Sequence, residues 1–545
     1  MVGPIVQDSL FNILVRFRQH KFVFSADIEK MFRAILVRDS DRHLQQILWR
    51  ENENDPIQVL QLNTVTYGFS SASFLATRCI IEVGEQCSNP TIKTVIKNDL
   101  YVDDILSGAD TEKEIQFIQQ SVSKELANHG FHLRKYRSNL PTQLFADSID
   151  LQHDDLMLSN ATSTLGVGWT PSSDEFHFNI QYSKPNILTK RLILSSTFKI
   201  FDPLGLLSLC TIKPKILFQD ICRLELDWDQ PVPPDIEKSW LKFTEKLSEL
   251  SSLRIPRCIL INNFSIIELH CFTDASQRAY GTTIYLRSLD SNGNANVSLV
   301  CAKSRVSPIK PTNTIPRLEL AAALLGAQLA STVLQALRCS ISRQVYWTDS
   351  TVVLGWIKSP NKTKTFVANR VAAINDMTDP SSWRHVPTSK NPADLVSRGV
   401  SPDQVKSTLW WHRPDFLLQP EDCWPTGPTS VIDLPEMKAN PAFIGETTLP
   451  SSGKFIDIEK YSKLLFLQNV LARILRFIHN IKFPSTKIVG PLSTEERTAA
   501  MTHLIKLSQQ QSFSKEIYNL TINKPLKSNV ALNSLNPFLD SEGYP

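Results

Sequence analysis

The stretch Lys97-Asn-Asp-Leu-Tyr-Val-Asp-Asp-Ile-Leu-Ser-Gly108 sets two adjacent acids, Asp103 and Asp104, inside a run of Leu100, Tyr101, Val102, Ile105 and Leu106. β-Branched and aromatic flanks favour strand, and Asp is favoured in tight turns because its side chain bonds nearby amides. The segment therefore reads as a hairpin with an acidic tip. Neighbouring carboxylates repel, and both ionise comfortably at neutral pH only beside a cation. The pattern directs attention to a third acid and a metal.

Upstream, Phe22-Val-Phe-Ser-Ala-Asp27-Ile-Glu-Lys-Met-Phe32 ends a β-rich run on an acid and passes into a segment of helical character. An acid at a strand end can project into a cleft; the same residue could equally cap a helix. Together, Asp27, Asp103 and Asp104 suit two Mg²⁺ ions about 4 Å apart shared with substrate phosphates, the arrangement used for in-line displacement at phosphorus.

Later in the chain four more acids occupy comparable positions. Ile267-Glu-Leu-His-Cys-Phe-Thr-Asp274 alternates Ile267, Leu269 and Cys271 on one face, which puts Asp274 on the other. Ile315-Pro-Arg-Leu-Glu319-Leu opens a helix with Pro316 in its first turn; Leu318, Ala322, Leu325 and Leu329 form its buried stripe and Glu319 lies beside it. Gln344-Val-Tyr-Trp-Thr-Asp349 ends a third strand on an acid. His385-Val-Pro-Thr-Ser-Lys-Asn-Pro-Ala-Asp394 leads a fourth acid into a short helix. Individually, each of these acids suits a helix cap or an open surface.

A chain of 545 residues exceeds what one core can bury, so three or more units are expected. A net charge of +4 permits a polyanionic partner without requiring one. The nine cysteines show neither a C-x-x-C pair nor zinc spacing, which suggests reduced thiols and an intracellular setting. The N-terminus lacks a signal-peptide pattern, and no run is expected to span a bilayer, Leu320 to Ala330 being the nearest. The sequons at Asn160 and Asn361 then read as accidental. Helices are expected near 459–480 and 493–510, and Trp410, Trp411 and Trp424 are expected to pack rather than to stack bases.

Five motifs in order resemble a reverse transcriptase palm. Asp27 with Phe32, and Tyr101-Val-Asp-Asp104, are similar to its two catalytic motifs. Tyr67-Gly-Phe-Ser-Ser-Ala72 resembles the segment beneath template and incoming nucleotide. Gly130-Phe-His-Leu-Arg-Lys135 and Leu165-Gly-Val-Gly-Trp169 resemble the pyrophosphate-side lysine motif and the primer grip. Asp274, Glu319, Asp349 and Asp394 resemble the D-E-D-D set of the ribonuclease H fold. Phe201-Asp-Pro-Leu-Gly-Leu-Leu-Ser208, Ile315–Leu320, His385–Thr388 and Asn391-Pro-Ala-Asp-Leu-Val-Ser-Arg-Gly399 are similar to the BEL/Pao group of long-terminal-repeat retrotransposons.

The resemblance implies an α/β (α+β) fold: a reverse transcriptase palm with truncated fingers over 1–160, a primer-grip, thumb and connection-like region over 161–254, and an RNase H-like domain over 255–400. An irregular, partly helical C-terminal tail over 401–545 would lead toward a missing integrase. It further implies an RNA-directed DNA polymerase with RNase H activity, using two Mg²⁺ or Mn²⁺ ions per site. RNA template, DNA primer, RNA/DNA hybrid and deoxynucleotide triphosphates would be its partners. A cytoplasmic location, no membrane, and protease and integrase as polyprotein neighbours go with it.

By the same resemblance, Asp27 and Asp103 hold the polymerase metals and Asp104 assists. Phe32 underlies the sugar, and Tyr67, Gly68 and Tyr101 border the nucleotide and template. Lys135 protonates pyrophosphate, and His385 helps the nuclease product leave or shuttles protons. Lys184, Lys190, Arg191 and Lys199 contact the nucleic-acid backbone. Two other readings stay open because of the short fingers: a non-catalytic binding remnant, and a nuclease alone.

Overall fold

In a computed structural model, the chain is described over residues 2–140, 156–157, 166–180, 182–310, 313–359, 363–427, 434–437, 461, 463–522, 524 and 537–538. Leu165 of the primer-grip motif and the sequons at Asn160 and Asn361 lie outside the described residues. The chain divides into two units, Met1–Asn440 and Pro441–Pro545.

The acidic hairpin belongs to a four-stranded antiparallel sheet ordered Leu100–Tyr101, Asp104–Ala109, Phe22–Ile28, Leu133–Ser138. Side chains alternate across a strand. Phe24, Ala26 and Ile28 therefore turn one way, into an apolar cluster with Ile105, Leu133 and the helices Ala72–Gln86, Pro90–Asn98 and Glu112–Asn128. Val23 and Leu106 turn the other way, into a larger core with the helix Leu10–Gln19. Asp27 has the parity of Val23, and its cross-strand partner is Asp104. Asp27 is thus a strand residue and not a helix cap. The helical segment expected after it is a single short turn, Met31–Ala34, preceded by Lys30 in the left-handed region at φ +51°.

A second sheet runs Ile255–Pro256, Glu175–Asn179, Gly166–Thr170, Leu156–Met157. The helices Lys190–Phe198, Ser208–Arg223 and Pro234–Thr244 lie in sequence between its strands Glu175–Asn179 and Ile255–Pro256. The third sheet is ordered Ala295–Val306, Ala279–Asp290, Phe264–Ala275, Arg343–Thr348, Trp383–His385. Its first two pairings are antiparallel and its last two parallel. The helix Ile315–Ala336 packs on it through the expected stripe of Leu318, Ala322, Leu325 and Leu329, all buried. This helix is 22 residues long and, by length and composition alone, could cross a bilayer, which the shorter Leu320–Ala330 run did not suggest. Here its apolar stripe is buried on the third sheet.

One core joins all three sheets, running from Val15 and Phe17 through Trp169, Phe176 and Phe178 to Phe272 and Trp347. Two guanidiniums cross it. Arg18 donates to the carbonyls of Arg257 (3.0 Å) and Val300 (2.7 Å). Arg257, fully buried, grips Asp174 through Nε (2.6 Å) and Nη2 (2.8 Å) and also donates to the carbonyls of Phe17, His20 and Lys21. It thereby satisfies carbonyls that the end of helix Leu10–Gln19 leaves without partners. Trp410, fully buried, donates from Nε1 to the Leu206 carbonyl, and the guanidiniums of Arg287, Arg343 and Arg384 surround the Trp424 ring. Trp411 packs against the same core, so all three tryptophans serve packing, as expected.

In the second unit, the helix Leu464–Lys482 starts later than expected from sequence and ends two residues beyond it, and Thr494–Thr521, kinked at Phe513, runs well past the expected end. They meet through Leu467, Leu471, Ala500 and Leu504. Ser493 and Glu496 form a capping box, and Arg476 binds Glu496 at 2.6 Å.

Removing one partner of a buried, hydrogen-bonded ion pair leaves the other charge uncompensated, at about 3–5 kcal/mol. Arg257→Met is therefore expected to lower the unfolding free energy in a urea titration by about 3–5 kcal/mol. A loss below about 1 kcal/mol would show that the Arg257–Asp174 pair does not hold the sheets together.

Candidate active sites

At the hairpin tip, Val102 takes the left-handed conformation (φ +55°) and its N–H donates to Gln7 Oε1 at 3.1 Å. The Ile28 N–H donates to the Asp103 carbonyl at 2.8 Å, which fastens the tip to the end of the central strand. Asp27 and Asp104 face each other as cross-strand partners, an arrangement that like charges disfavour. Burial pushes the Asp104 carboxyl up from 3.8 to about 7, helped by Asp103 and Asp27. Asp103 is also raised, first by burial and then by Asp27. A cleft of about 700 Å³ opens over these acids, lined among others by Asp27, Phe32, Tyr67, Asp103, Arg134 and Lys135.

The strand Leu133–Ser138 carries a bulge against the central strand. Between the pairs Ser25–Arg137 and Asp27–Arg134 it holds one residue more than its partner. Lys135 lies in that bulge at φ +53°, and its Nζ reaches Asp27 Oδ2 at 3.5 Å. Bulges re-aim side chains in this way. Phe32 is half-buried against the first apolar cluster and also lines the cleft, so it serves packing as well as the site. Tyr67 is exposed at the rim, Gly68 takes φ +94°, and Tyr101 packs into the larger core.

The second set of acids gathers where the third sheet's strands end. Asp274 closes Phe264–Ala275, Asp349 follows Arg343–Thr348, Glu319 stands in the first turns of Ile315–Ala336, and Asp394 opens the short helix Asp394–Arg398. Burial raises the Asp274 carboxyl from 3.8 to about 7; Ser397 opposes the rise, and Asp349, Asp394 and Glu319 add to it. All four acids therefore share one electrostatic site. Glu319 is raised by burial and by Asp349. Asn391, almost fully buried, donates to the Thr273 carbonyl at 3.1 Å and so draws the Asp394 loop onto the strand that carries Asp274.

Each acid is held by a neighbour, Glu319 by the Ser350 side chain. Ser397 donates to Asp274, Thr388 to Asp349 Oδ2 (2.7 Å), and Arg398 to Asp394 Oδ1 (2.6 Å). The buried Asp349 Oδ1 has no hydrogen-bond partner among the described residues, nor does His385 Nδ1. His385 pairs across the sheet with Thr348, the residue before Asp349. Among the described residues, no three acidic, histidine or cysteine side chains converge into a ready metal cage. The donor set still fits divalent cations, since oxygen ligands are gathered, one carboxyl in each site is raised by burial and by neighbouring acids, and one buried oxygen has no partner among the described residues.

Ser397, Thr388, Arg398 and Asn391 were not given roles from sequence, although all lie inside the quoted motifs His385–Thr388 and Asn391–Gly399. Of the four cations expected to contact nucleic acid, Arg191 is engaged by Asp229 (2.8 and 2.9 Å), and Lys190 and Arg191 lie over the Trp228 ring.

A parallel-and-antiparallel sheet with four acids at its strand ends is of the ribonuclease H-like class. Residues 189–350 match the family described as Pao retrotransposon-like RNaseH-like domain. Over residues 189–350 the chain is thus similar to the RNase H-like domain of Pao retrotransposons. The match takes in Asp274, Glu319 and Asp349. Among solved structures, the foamy viral protease-reverse transcriptase dRH in complex with double-stranded DNA is 14% identical with a TM-score of 0.46, covering 71% of this chain and 60% of that one. The foamy viral protease-reverse transcriptase in complex with an RNA/DNA hybrid is 15% identical with a TM-score of 0.43, covering 71% of this chain and 46% of that one. No curated protein matches the sequence.

Asp104 and Asp274 bind protons more tightly folded than unfolded, so the stability they contribute is complete below 3.8 and is lost as pH rises through about 7. Thermal melts of the cation-free protein are expected to show a falling midpoint from about pH 5 to about pH 8. Mg²⁺ should restore the midpoint at the upper end, and less so in Asp349→Asn. A midpoint indifferent to both pH and Mg²⁺ would contradict this electrostatic description.

Proposed function

We propose that the chain is a retroelement replication enzyme, an RNA-directed DNA polymerase at the first site and a ribonuclease H at the second. The observation that carries this reading is the gathering of Asp274, Glu319, Asp349 and Asp394 around one buried carboxyl. Asp27, Asp103 and Asp104 would hold the divalent ions of the first site, and the other four acids those of the second. Such ions supply Lewis-acid stabilisation of charge on phosphate oxygens.

The chain's own groups do the rest. Lys135, aimed by its bulge, places a cation and a proton beside Asp27 at the pyrophosphate end of the cleft. Phe32 supplies the floor against which a sugar would rest, and Tyr67 with Gly68 forms the rim nearest a template base. In the second site, Ser397 and Thr388 orient the carboxylates they touch, and His385, paired across the sheet with Thr348, would shuttle protons. RNA template, DNA primer, RNA/DNA hybrid and deoxynucleotide triphosphates are the partners of this reading. Recognition of the hybrid would rest on 2′-hydroxyls in its minor groove, and a cytoplasmic location goes with it.

A second reading, a nuclease without polymerase, is favoured by the ribbon Gln46–Trp49 and Gln58–Gln61, whose strand residues are all exposed and so pack nothing against the cleft. One pair of variants separates the two. Asp349→Asn is expected to lower cleavage of an RNA/DNA hybrid by at least about a hundredfold and to leave primer extension intact; Asp103→Asn should do the reverse. Primer extension absent from the wild type, with cleavage present, would establish the nuclease alone. Normal cleavage by both variants would refute the nuclease assignment.

A further inference from the structure

Beside the second site stands a cluster that neither set of acids uses. The guanidiniums of Arg370 and Arg317 lie 3.5 Å and 4.7 Å from the centroid of the Phe366 ring, in the helix Thr365–Met377. Arg317 precedes Glu319 by two residues on the helix Ile315–Ala336. Arg370 is close enough to Arg317 to feel its charge and also neighbours Tyr280, which pairs across the sheet with Ala275, the residue after Asp274. Two like charges are thus collected at the rim of the nuclease acids, around an aromatic face that favours cations.

The carboxylate that answers them comes from far along the chain. Glu436 takes both arms of the Arg317 fork, Nε to Oε1 at 2.6 Å and Nη2 to Oε2 at 2.9 Å. Its backbone is fastened beside helix Thr365–Met377: the Lys364 N–H donates to the Glu436 carbonyl (2.8 Å), and Thr363 forms an antiparallel bridge with Met437. Trp356 Nε1 donates to the Pro435 carbonyl at 2.8 Å. Glu436 itself sits at φ +62°, a left-handed conformation that a residue with a Cβ adopts at a cost. The segment is therefore held by these backbone bonds and by an anion on a two-armed guanidinium, with Glu436 itself in a costly backbone pose. A guanidinium fork accepts phosphate in the same bidentate way as carboxylate.

We propose that Arg317 and Arg370 around Phe366 form a phosphate-binding station for the nucleic-acid strand entering the second site, and that Glu436 occupies this station in the free chain as an internal anion that substrate phosphate displaces. The proposal rests on reading that site as a nuclease acting on nucleic acid. A competitor in cis weakens substrate binding by its own hold on the shared group and leaves the chemical step alone.

The test uses the full chain and a fluorescein-labelled RNA/DNA hybrid, with binding read by anisotropy and cleavage by steady-state kinetics. Glu436→Gln keeps the backbone anchors and removes the charge; Kd and KM for the hybrid are expected to fall about three- to tenfold with kcat unchanged. Arg317→Ala should raise both, and adding Glu436→Gln to it should change nothing further. Unchanged or weaker binding in Glu436→Gln overturns the proposal. If the hybrid binds but no variant cleaves it, the nuclease reading fails, while the affinity shift still decides for or against the station. A chain that binds no hybrid in either form overturns both.

Discussion

Asp27 and Asp104 stand opposite each other across an antiparallel register, with Asp103 at the adjoining turn, in a place where burial strengthens their repulsion. The surrounding local structure answers that repulsion. The tip is fastened by the Ile28–Asp103 backbone bond, and a bulge turns Lys135 onto Asp27. The second pocket meets the same difficulty with different means, using Ser397, Thr388 and Arg398 as separate partners for Asp274, Asp349 and Asp394. In both pockets the folded chain keeps carboxyls whose proton affinity lies near neutrality, a state that binds a proton or a cation with comparable readiness. Stability is conceded locally, as is common where a site must bind charge.

The two pockets hang on a common frame. Asp99, four residues before Asp103, is almost fully buried between Arg16 (3.0 Å) and the fork of Arg338 (2.7 and 3.0 Å), and it also accepts from Ser107. Arg338 follows the helix whose opposite end carries Glu319. A buried, fully hydrogen-bonded ion cluster thus ties the acidic hairpin to the helix of the second site, and Arg18 and Arg257 bind the helix Leu10–Gln19 to the second and third sheets. Such networks fix geometry when every member is satisfied. The continuous apolar core around them places each acid at the end of a strand or the start of a helix.

Much of this was legible in the sequence, for local reasons. Alternation placed Asp274 at a strand end, the stripe Leu318, Ala322, Leu325 and Leu329 set the face of the long helix, and the paired acids marked the hairpin. What was not legible depends on distance along the chain. Arg257 and Asp174 are 83 residues apart and Arg338 and Asp99 are 239 apart, and no periodicity connects them. The choice between strand end and helix cap for Asp27 was undecided locally and was settled by the register with Asp104. The partners Ser397, Thr388 and Asn391 sat within recognisable motifs, but only the meeting of loop and strand gives them their tasks. The tail helices were placed correctly, the first begun too early and the second ended too soon, because helix ends depend on caps and packing more than on apolar spacing.

The most direct test of the whole account is calorimetric: Mn²⁺ titrated into the chain near pH 7 in two buffers of different ionisation enthalpy, which counts the protons released on binding. If carboxyls raised to about 7 are the groups that take the cations, binding releases protons, and Asp274→Asn removes part of that release while Asp104→Asn removes the remainder. Cation binding with no proton release, or a release untouched by either substitution, would contradict it.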